Sequence, residues 1–425
     1  MSLPDLIEIV PPSGPVSATV SIPGSKSITN RALILGALTP TTTRINGALW
    51  SEDTQVMTEC LAQLGYLVEV SPDSGDSSNR SITIHGKAAV PSGGTRDLPL
   101  ELYVGNAGTA ARFLAALLCL GSGAYRLSGV PRMHERPQCG LFSALRQLGY
   151  RIDSANDRLP AIVHGAGPMD GSCRVSIRQS SQFASALILC AKQGGWHIEV
   201  EDENSDEAAY VHMTREMTRG FPRSDGLFEV EPDASSASYF IAADRLIGGG
   251  SGLISVSSKP ATDWQVDARF SRFIPLPPEI SRARHLGDSI LTSMILAPFE
   301  QREVRFTDLG RLRVQECERV RAMRTELSRC GAIVKEHGDS LVILPSDRGL
   351  HGAEIETYGD HRIAMVFSIL GLKVPGIRIR NPACVKKTFP NFFQKLAAPP
   401  AGGLGIAIRH PGAAQPLQMN ELFAD

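Results

Sequence analysis

At 425 residues the chain is too long for one ordinary core, and two domains of about 200 residues each are the natural division. Its 42% hydrophobic and 20% charged residues are those of a globular protein, and a net charge of −1 gives no polyanion-binding signal, so nucleic acid is not an expected partner. The apolar runs 110–120 and 183–191 fall short of the roughly 20 residues that span a bilayer, so no membrane association is expected. The N-terminal MSLPDLIEIVPPSG carries acidic residues and no basic segment, so no secretory leader is expected. Eight cysteines include no C-x-x-C pair, and Cys119 and Cys190 lie inside apolar runs, where buried reduced thiols belong. No H-E-x-x-H and no Cys/His cluster has zinc spacing. The expectation is a cytoplasmic protein with no metal and no cofactor.

The first motif is residues 22–38, IPGSKSITNRALILGAL. It resembles a Walker A loop, but Ser25 separates Gly24 from Lys26 and position 19 is not glycine, so a nucleotide is not the expected ligand. Pro23 fixes the entry to a helix, Ser25 and Ser27 supply hydroxyls, and Lys26 and Arg31 add two cations to the unpaired N–H groups of its first turn. That combination suits an anion. Next, 51–86 reads as a helix with Val56, Cys60, Leu61 and Leu64 on one face, a glycine, a strand, a polar turn and a second strand. The pattern recurs over 136–165 and 316–344, and more loosely over 208–230. Gly65, Gly149 and Gly331 each stand where a helix ends and φ turns positive.

Between these repeats lie further donor-rich starts. In LYVGNAGTAARFLAALLCLG (102–121) a strand closes and an apolar helix opens at Thr109, with Asn106 able to hydrogen-bond and Gly108 letting a ligand approach the backbone. RMHERP (132–137) puts two arginines, a histidine and a glutamate before a proline-started helix, and QSSQFASAL (179–187) puts Ser180, Ser181 and Gln182 before an apolar one. In RLRVQECERVRAMR (311–324), Arg313, Glu316 and Arg319 are expected on one helical face. YGDHRIAM (358–365) places Asp360, His361 and Arg362 before a helix, and CVKKTFPNFF (384–393) offers Lys386 and Lys387. Helices that begin with Lys, Arg, Ser or Gln and few carboxylates describe a site for small, multiply anionic substrates. A dinucleotide fold is disfavoured, because no G-x-G-x-x-G closes a first βα turn. An α/β fold of repeated βαβαββ-like units fits better, with a boundary near Glu231.

With DASSASYF (233–240), these motifs stand in the order found in 5-enolpyruvylshikimate-3-phosphate synthases, and over roughly 8–397 the chain resembles that family. The resemblance implies a two-domain enolpyruvyl transferase fold, an inside-out α/β barrel. It assigns 1–22 with 232–425 to a discontinuous C-terminal-type domain and 23–231 to an N-terminal-type domain, with the active site in the interdomain cleft. It implies transfer of the enolpyruvyl group of phosphoenolpyruvate to a hydroxyl of shikimate 3-phosphate, with release of phosphate, by a monomer without cofactor. By resemblance Lys26, Arg132, Gln182 and Lys387 surround the phosphoenolpyruvate phosphate, Arg319 and Arg362 take its carboxylate, and Asn106 and Gly108 line the floor. Ser27 and Arg31 resemble the shikimate carboxylate site, Ser180, Ser181 and Gln182 the hydroxyl-bearing wall, and Tyr210 the tyrosine beside the ring. Asp288, in HLGDSILTSM (285–294), and Glu316 match the family's catalytic carboxylates, alongside Lys26.

Two departures bear on the acceptor. Gln315 stands where the family has lysine, and Glu207 where it has serine, while Arg311 replaces a polar amide. A third is structural: 269–287 lacks the helix, glycine and hairpin seen elsewhere, so one of the six units is expected to be truncated. These departures leave open a paralogue acting on unphosphorylated shikimate, by carboxyvinyl transfer or by elimination, and a non-catalytic anion-binding paralogue.

Overall fold

The computed structural model describes residues 3–73, 75–86, 91–202, 208–221, 225–346, 349–400 and 402–424. The chain divides into two compact units, Gly24–Glu231 and a discontinuous one made of Met1–Pro23 with Pro232–Asp425.

In the Gly24–Glu231 unit, three helices are buried on nearly every side: Lys26–Leu38, Gly108–Cys119 and Ser181–Gly194. A helix that is apolar all round belongs inside, and these pack on one another. Each fully buried leucine or phenylalanine among them, such as Phe113, Leu114 and Phe183, contributes roughly 2–3 kcal/mol. Around them stand two four-stranded sheets. One runs Leu227–Glu229, Thr43–Leu49, Asn79–His85, Leu67–Pro72, and the other Leu100–Tyr103, Ser122–Ser128, Ala161–Ala166, Arg151–Asp153. In each, the first pair is parallel and the remaining two are antiparallel, so every sheet joins one crossover to one hairpin.

The other unit repeats the plan. Its buried helices are Ala234–Ile247, Ile290–Leu296 and His361–Gly371, also packed together. Its four-stranded sheets run Glu354–Ile355, Arg378–Arg380, Leu6–Ile9, Ile408–Arg409 and Glu279–Ser281, Val304–Thr307, Ser340–Ile343, Val334–His337. The strand from the chain's beginning, Leu6–Ile9, thus sits inside a sheet otherwise built from 354–409. Gly65, Gly149 and Gly331 take φ of 89°, 93° and 90° at the helix ends where the repeat requires left-handed backbone.

Each unit also has a two-stranded parallel sheet: Gly171–Ser176 with Trp196–Glu201, and Ala18–Val20 with Ile254–Val256. The second precedes the shortened 269–287 stretch, into which runs a 3-10 turn, Val266–Phe273, in place of helix and hairpin. The first corrects the sequence reading, which expected a repeat over 208–230 and a single short unit. Helix Ala208–Gly220 is followed after only six residues by Leu227–Glu229, which pairs with Thr43–Leu49. Of the strand, turn and strand implied by the loose repeat, the described residues hold the last strand, Leu227–Glu229, and it joins a parallel pair.

Candidate active site

Many of the motif residues sit at or near helix starts, and each unit gathers its own cluster. In Gly24–Glu231, Lys26 opens its helix after extended Ser25, and its Nζ lies 3.1 Å from a buried carboxylate, Asp53, in the first turn of Glu52–Gln63. Arg31 is 2% exposed. Its Nη1 donates to the Ser27 carbonyl at 2.8 Å, its Nε to Thr214 Oγ1 at 2.8 Å and its Nη2 to Ser185 Oγ at 3.1 Å, and it stacks 5.3 Å over Phe113. One guanidinium thereby links four helices. Ser27 and Tyr210 are half-buried nearby, the Tyr210 carbonyl 3.5 Å from Arg31 Nη2.

The Gly105–Gly108 turn is gripped by two arginines to which no role was assigned from the sequence. Arg112 Nη1 donates to the Gly108 carbonyl at 3.0 Å and Nη2 to that of Pro137 at 2.8 Å, while Arg136 Nη1 donates to the Asn106 carbonyl at 3.2 Å. A Cβ on Gly108 would stand 2.5 Å from Arg112 Nη1 and 2.7 Å from Arg136 Nη2, so no larger residue fits unless these move. Gln182 Nε2 reaches Thr109 Oγ1 at 3.4 Å, tying two helix starts together. Ser180 caps its helix by accepting from the Gln182 N–H at 3.3 Å, with Ser181 buried behind it. Arg132 lies inside a short helix, Pro131–Glu135, and pairs with Glu135 at 2.6 Å. The proline-started helix thus begins at Pro131, before the arginine, and the next one starts at Cys139.

The second cluster is denser. Arg319, 1% exposed, opens the helix Arg319–Arg329 and engages the fully buried Asp360 with two nitrogens, Nε to Oδ2 at 2.7 Å and Nη2 to Oδ1 at 3.2 Å. Its Nη2 also donates to Glu316 Oε2 at 2.9 Å, its Nη1 to Gln315 Oε1, and Nη1 stands 3.5 Å from Asp288 Oδ1. Asp288 meets Arg362 Nη2 at 2.9 Å and Arg282 Nη2 at 3.9 Å, and Arg362 Nη1 donates to Tyr239 Oη at 3.4 Å. Lys387, buried at the end of the 3-10 turn Pro382–Lys387, brings its Nζ to 3.8 Å from Glu316 Oε1. Asp360 caps His361–Gly371 by accepting from the Arg362 N–H at 2.9 Å, and His361 Nδ1 is 3.6 Å from its carboxylate.

Electrostatics follow from this packing. Burial alone would push the Asp288 carboxyl up, but the guanidiniums of Arg362, Arg319 and Arg282 overcome it and hold its pKa at about 2. Burial works against charge on Arg319 and Arg362 as well, and the carboxylates of Asp360, Glu316 and Asp288 around Arg319, with Asp288 beside Arg362, drive both above the ordinary arginine value. Burial pushes the Tyr239 hydroxyl up to about 12. Removing one member of such a buried set would strand the others at a cost of about 3–5 kcal/mol.

Asp288, Gln315, Glu316, Arg319, Arg362 and Lys387 therefore share one network, with Arg311 half-buried in the adjacent 3-10 turn Gly310–Val314. Arg313 does not share that face. The backbone at Gln315 (φ −88°, ψ −142°) interrupts the helix, and Arg313 instead binds Glu318, Glu336 and Asp339 at 2.8–2.9 Å. Glu207 lies outside the described residues. The sequence reading missed Asp53, Arg112, Arg136, Arg282 and Tyr239. Arg136 carried a signal as the second arginine of RMHERP; Arg112 and Arg282 act on neighbours four and six residues away but showed none, and Asp53 and Tyr239 meet Lys26 and Arg362 through contacts distant in sequence.

Repeated βαβαββ-type units around buried helices, with basic and polar helix starts, define the class, the enolpyruvyl transferase fold. Two solved structures share it: an EPSP synthase from Acinetobacter baumannii (TM-score 0.68, 21% identity, covering 95% of this chain and 100% of that one) and the enolpyruvyl transferase NikO from Streptomyces tendae (TM-score 0.66, 16% identity, covering 95% and 98%). The family model of EPSP synthase (3-phosphoshikimate 1-carboxyvinyltransferase) matches residues 10–223 and 256–396. The 3-phosphoshikimate 1-carboxyvinyltransferase of Rhizobium leguminosarum bv. trifolii is 37% identical over 92% of this chain and 96% of its own, and that of Trichormus variabilis 35% identical over 92% and 98%. The chain belongs to the EPSP synthase family. No helix among the described residues is long and apolar enough to cross a membrane.

Proposed function

We propose that this chain is a 3-phosphoshikimate 1-carboxyvinyltransferase that moves the enolpyruvyl group of phosphoenolpyruvate to a hydroxyl of shikimate 3-phosphate. The observation that carries the assignment of roles is the wedge of Asp288 between Arg362 at 2.9 Å and Arg319 at 3.5 Å, beside Glu316 and Lys387. Two buried guanidiniums already held on a carboxylate are preorganised for the planar carboxylate of phosphoenolpyruvate, a task for which lysine is a poor substitute. Lys387, Lys26, Arg132 and Gln182 take the phosphate, with Asn106 and Gly108 as its floor. Ser27, Arg31, Ser180, Ser181, Tyr210 and Arg311 face the shikimate acid.

In this reading Asp288 accepts the proton of the acceptor hydroxyl while the hydroxyl oxygen bonds to C2 of phosphoenolpyruvate, and Glu316, protonated in the substrate complex once Arg319 and Lys387 turn to the donor, delivers that proton to the C3 methylene. The resulting ketal carries both the new ether and the phosphate. Loss of the C3 proton to a carboxylate then re-forms the double bond as the C2–O bond to phosphate breaks. The cations oppose charge on phosphate and carboxylate throughout. The roles require residues of both units to act on one substrate pair, so we propose closure of the units over the substrates, which would exclude water. The enzyme would work as a monomer on small molecules in the cytoplasm, without a cofactor.

The test is phosphate release from phosphoenolpyruvate with either shikimate 3-phosphate or shikimate as acceptor, the product identified by mass. Release with the phosphorylated acceptor and formation of an enolpyruvyl ether is the expected result. Release with shikimate alone would reassign the acceptor. A changed ring with phosphoenolpyruvate unconsumed would replace transfer by elimination, and binding without turnover would leave only an anion-binding protein.

A further inference from the structure

One fully buried carboxylate near the second cluster has no part in the chemistry above. Glu326 lies on the same helix as Arg319, seven residues on, about two turns away on the same face. Both residues grip one short segment, 356–360, which leads from strand Glu354–Ile355 into helix His361–Gly371. Arg319 holds its far end through Asp360. Glu326 holds its near end: Oε2 accepts from the Glu356 N–H at 3.3 Å and Oε1 from the Tyr358 hydroxyl at 2.8 Å. Arg329 Nη1, at 2.8 Å, balances its charge.

The backbone between the two grips is unusual. Tyr358 has φ of 55° and Gly359 of 65°, two successive left-handed residues, of which only the glycine takes that conformation readily. Tyr358 as a residue is 42% exposed, so packing does not force it there. What holds it is its hydroxyl on Glu326 and its own N–H on Glu356 Oε1 at 3.2 Å, together with the Asp360 N–H, which donates to the Thr357 carbonyl at 2.9 Å and closes the turn. Thr357 ties the segment to strand Arg378–Arg380 by donating to the Arg380 carbonyl at 2.9 Å, and Arg380 Nε lies 3.6 Å from Glu356. The turn sets the direction of Asp360, which in turn orients the Arg319 guanidinium and caps the helix that starts with His361 and Arg362.

We propose that Glu326, through the Tyr358 hydroxyl, is a positioning residue that holds this left-handed turn, and so keeps Arg319 and Arg362 in register for the donor's carboxylate. The inference rests on the assignment of these arginines to the phosphoenolpyruvate carboxylate. Glu326 touches no reacting group. Its influence reaches the site only through the turn, so its loss falls on recognition of the donor more than on the acceptor or on kcat.

The experiment compares steady-state kinetics of the full chain with Tyr358→Phe, Tyr358→Gly and Glu326→Gln. Tyr358→Phe removes the anchor and keeps a side chain that resists positive φ; the KM for phosphoenolpyruvate is expected to rise about tenfold, with acceptor KM and kcat within about threefold of the parent. Tyr358→Gly removes anchor and ring but adopts the turn freely, so it is expected to recover most of that loss. Glu326→Gln keeps one acceptor oxygen and falls between parent and Tyr358→Phe. A purely structural role gives another pattern: the glycine variant is as impaired as the phenylalanine variant or worse, or both KM values and kcat decline together. Either outcome overturns the proposal, as does a donor KM in Tyr358→Phe within twofold of the parent. If the parent itself does not consume phosphoenolpyruvate, the functional reading fails, and the positioning role that rests on it falls with it. If the parent turns over and the variants match it, the positioning role alone fails.

Discussion

Apart from Lys26, which is paired with the buried Asp53 at 3.1 Å, the two units hold the cations near their buried helix starts with different partners. In the Pro232–Asp425 part, Arg319, Arg362, Arg282 and Lys387 are set against Asp288, Glu316 and Asp360, so charge meets charge within 2.7–3.9 Å. In Gly24–Glu231, the bonds described for Arg31, Arg112 and Arg136 run to hydroxyls and carbonyls: Thr214, Ser185, Ser27, Gly108, Pro137 and Asn106. A guanidinium hydrogen-bonded to neutral oxygens is positioned by their dipoles. One paired with a carboxylate is better stabilised but must share its charge with a ligand. The first arrangement suits groups that shape a fixed floor. The second suits groups that exchange one carboxylate for another as the reaction proceeds.

Two changes sharpen this contrast. The larger effect is expected at Gly108, where the neutral-oxygen arrangement leaves no slack. In Gly108→Ala the new Cβ would lie 2.5 Å from Arg112 Nη1 and 2.7 Å from Arg136 Nη2, so both must shift. The KM for phosphoenolpyruvate is expected to rise about 10- to 100-fold with a smaller change for the acceptor. Equal changes in both would mean that the turn does not serve the donor.

The smaller effect is one of pH, and it belongs to the charge-matched unit. The Asp288 pKa is held at about 2 by Arg362, Arg319 and Arg282 against the burial that would raise it. A carboxyl depressed on folding stabilises the native state above its unfolded pKa of about 4, and that contribution is lost as pH falls from about 4 toward 2. Denaturant titrations should show the parent losing about 2 kcal/mol more over that interval than Asp288→Asn, in which this carboxyl is gone. Parallel pH profiles would mean that Asp288 is not bound to the arginines in the free protein.

What was legible in the sequence was local. Gly65, Gly149 and Gly331 announced helix ends because only a left-handed residue closes them, and their φ values bear this out. Starts such as GSKS, GNAG and QSSQ were legible because donors before an apolar run have few other uses. Cys119 and Cys190, read as buried thiols, are buried and unbridged. Pairings between distant segments were not legible. Asp53 looks like an ordinary acidic residue of a first turn until its helix packs against the one bearing Lys26. Arg282 lies in a stretch with no periodicity, and its link to Asp288 depends on how that stretch folds back. The helical spacing that put Arg313 beside Arg319 failed because spacing cannot reveal a break at Gln315. The loose repeat over 208–230 was hard to place for a related reason, since its last strand, Leu227–Glu229, pairs with the distant Thr43–Leu49.

The most direct measurement is a pair of equilibrium titrations of phosphoenolpyruvate in the presence of saturating acceptor, on Lys26→Ala from one unit and Arg362→Lys from the other. If the two clusters serve the same donor molecule, each variant should weaken phosphoenolpyruvate binding by about 10-fold or more while the acceptor still binds. Loss of donor binding in one variant and only of acceptor binding in the other would contradict the account, since the units would then hold separate ligands.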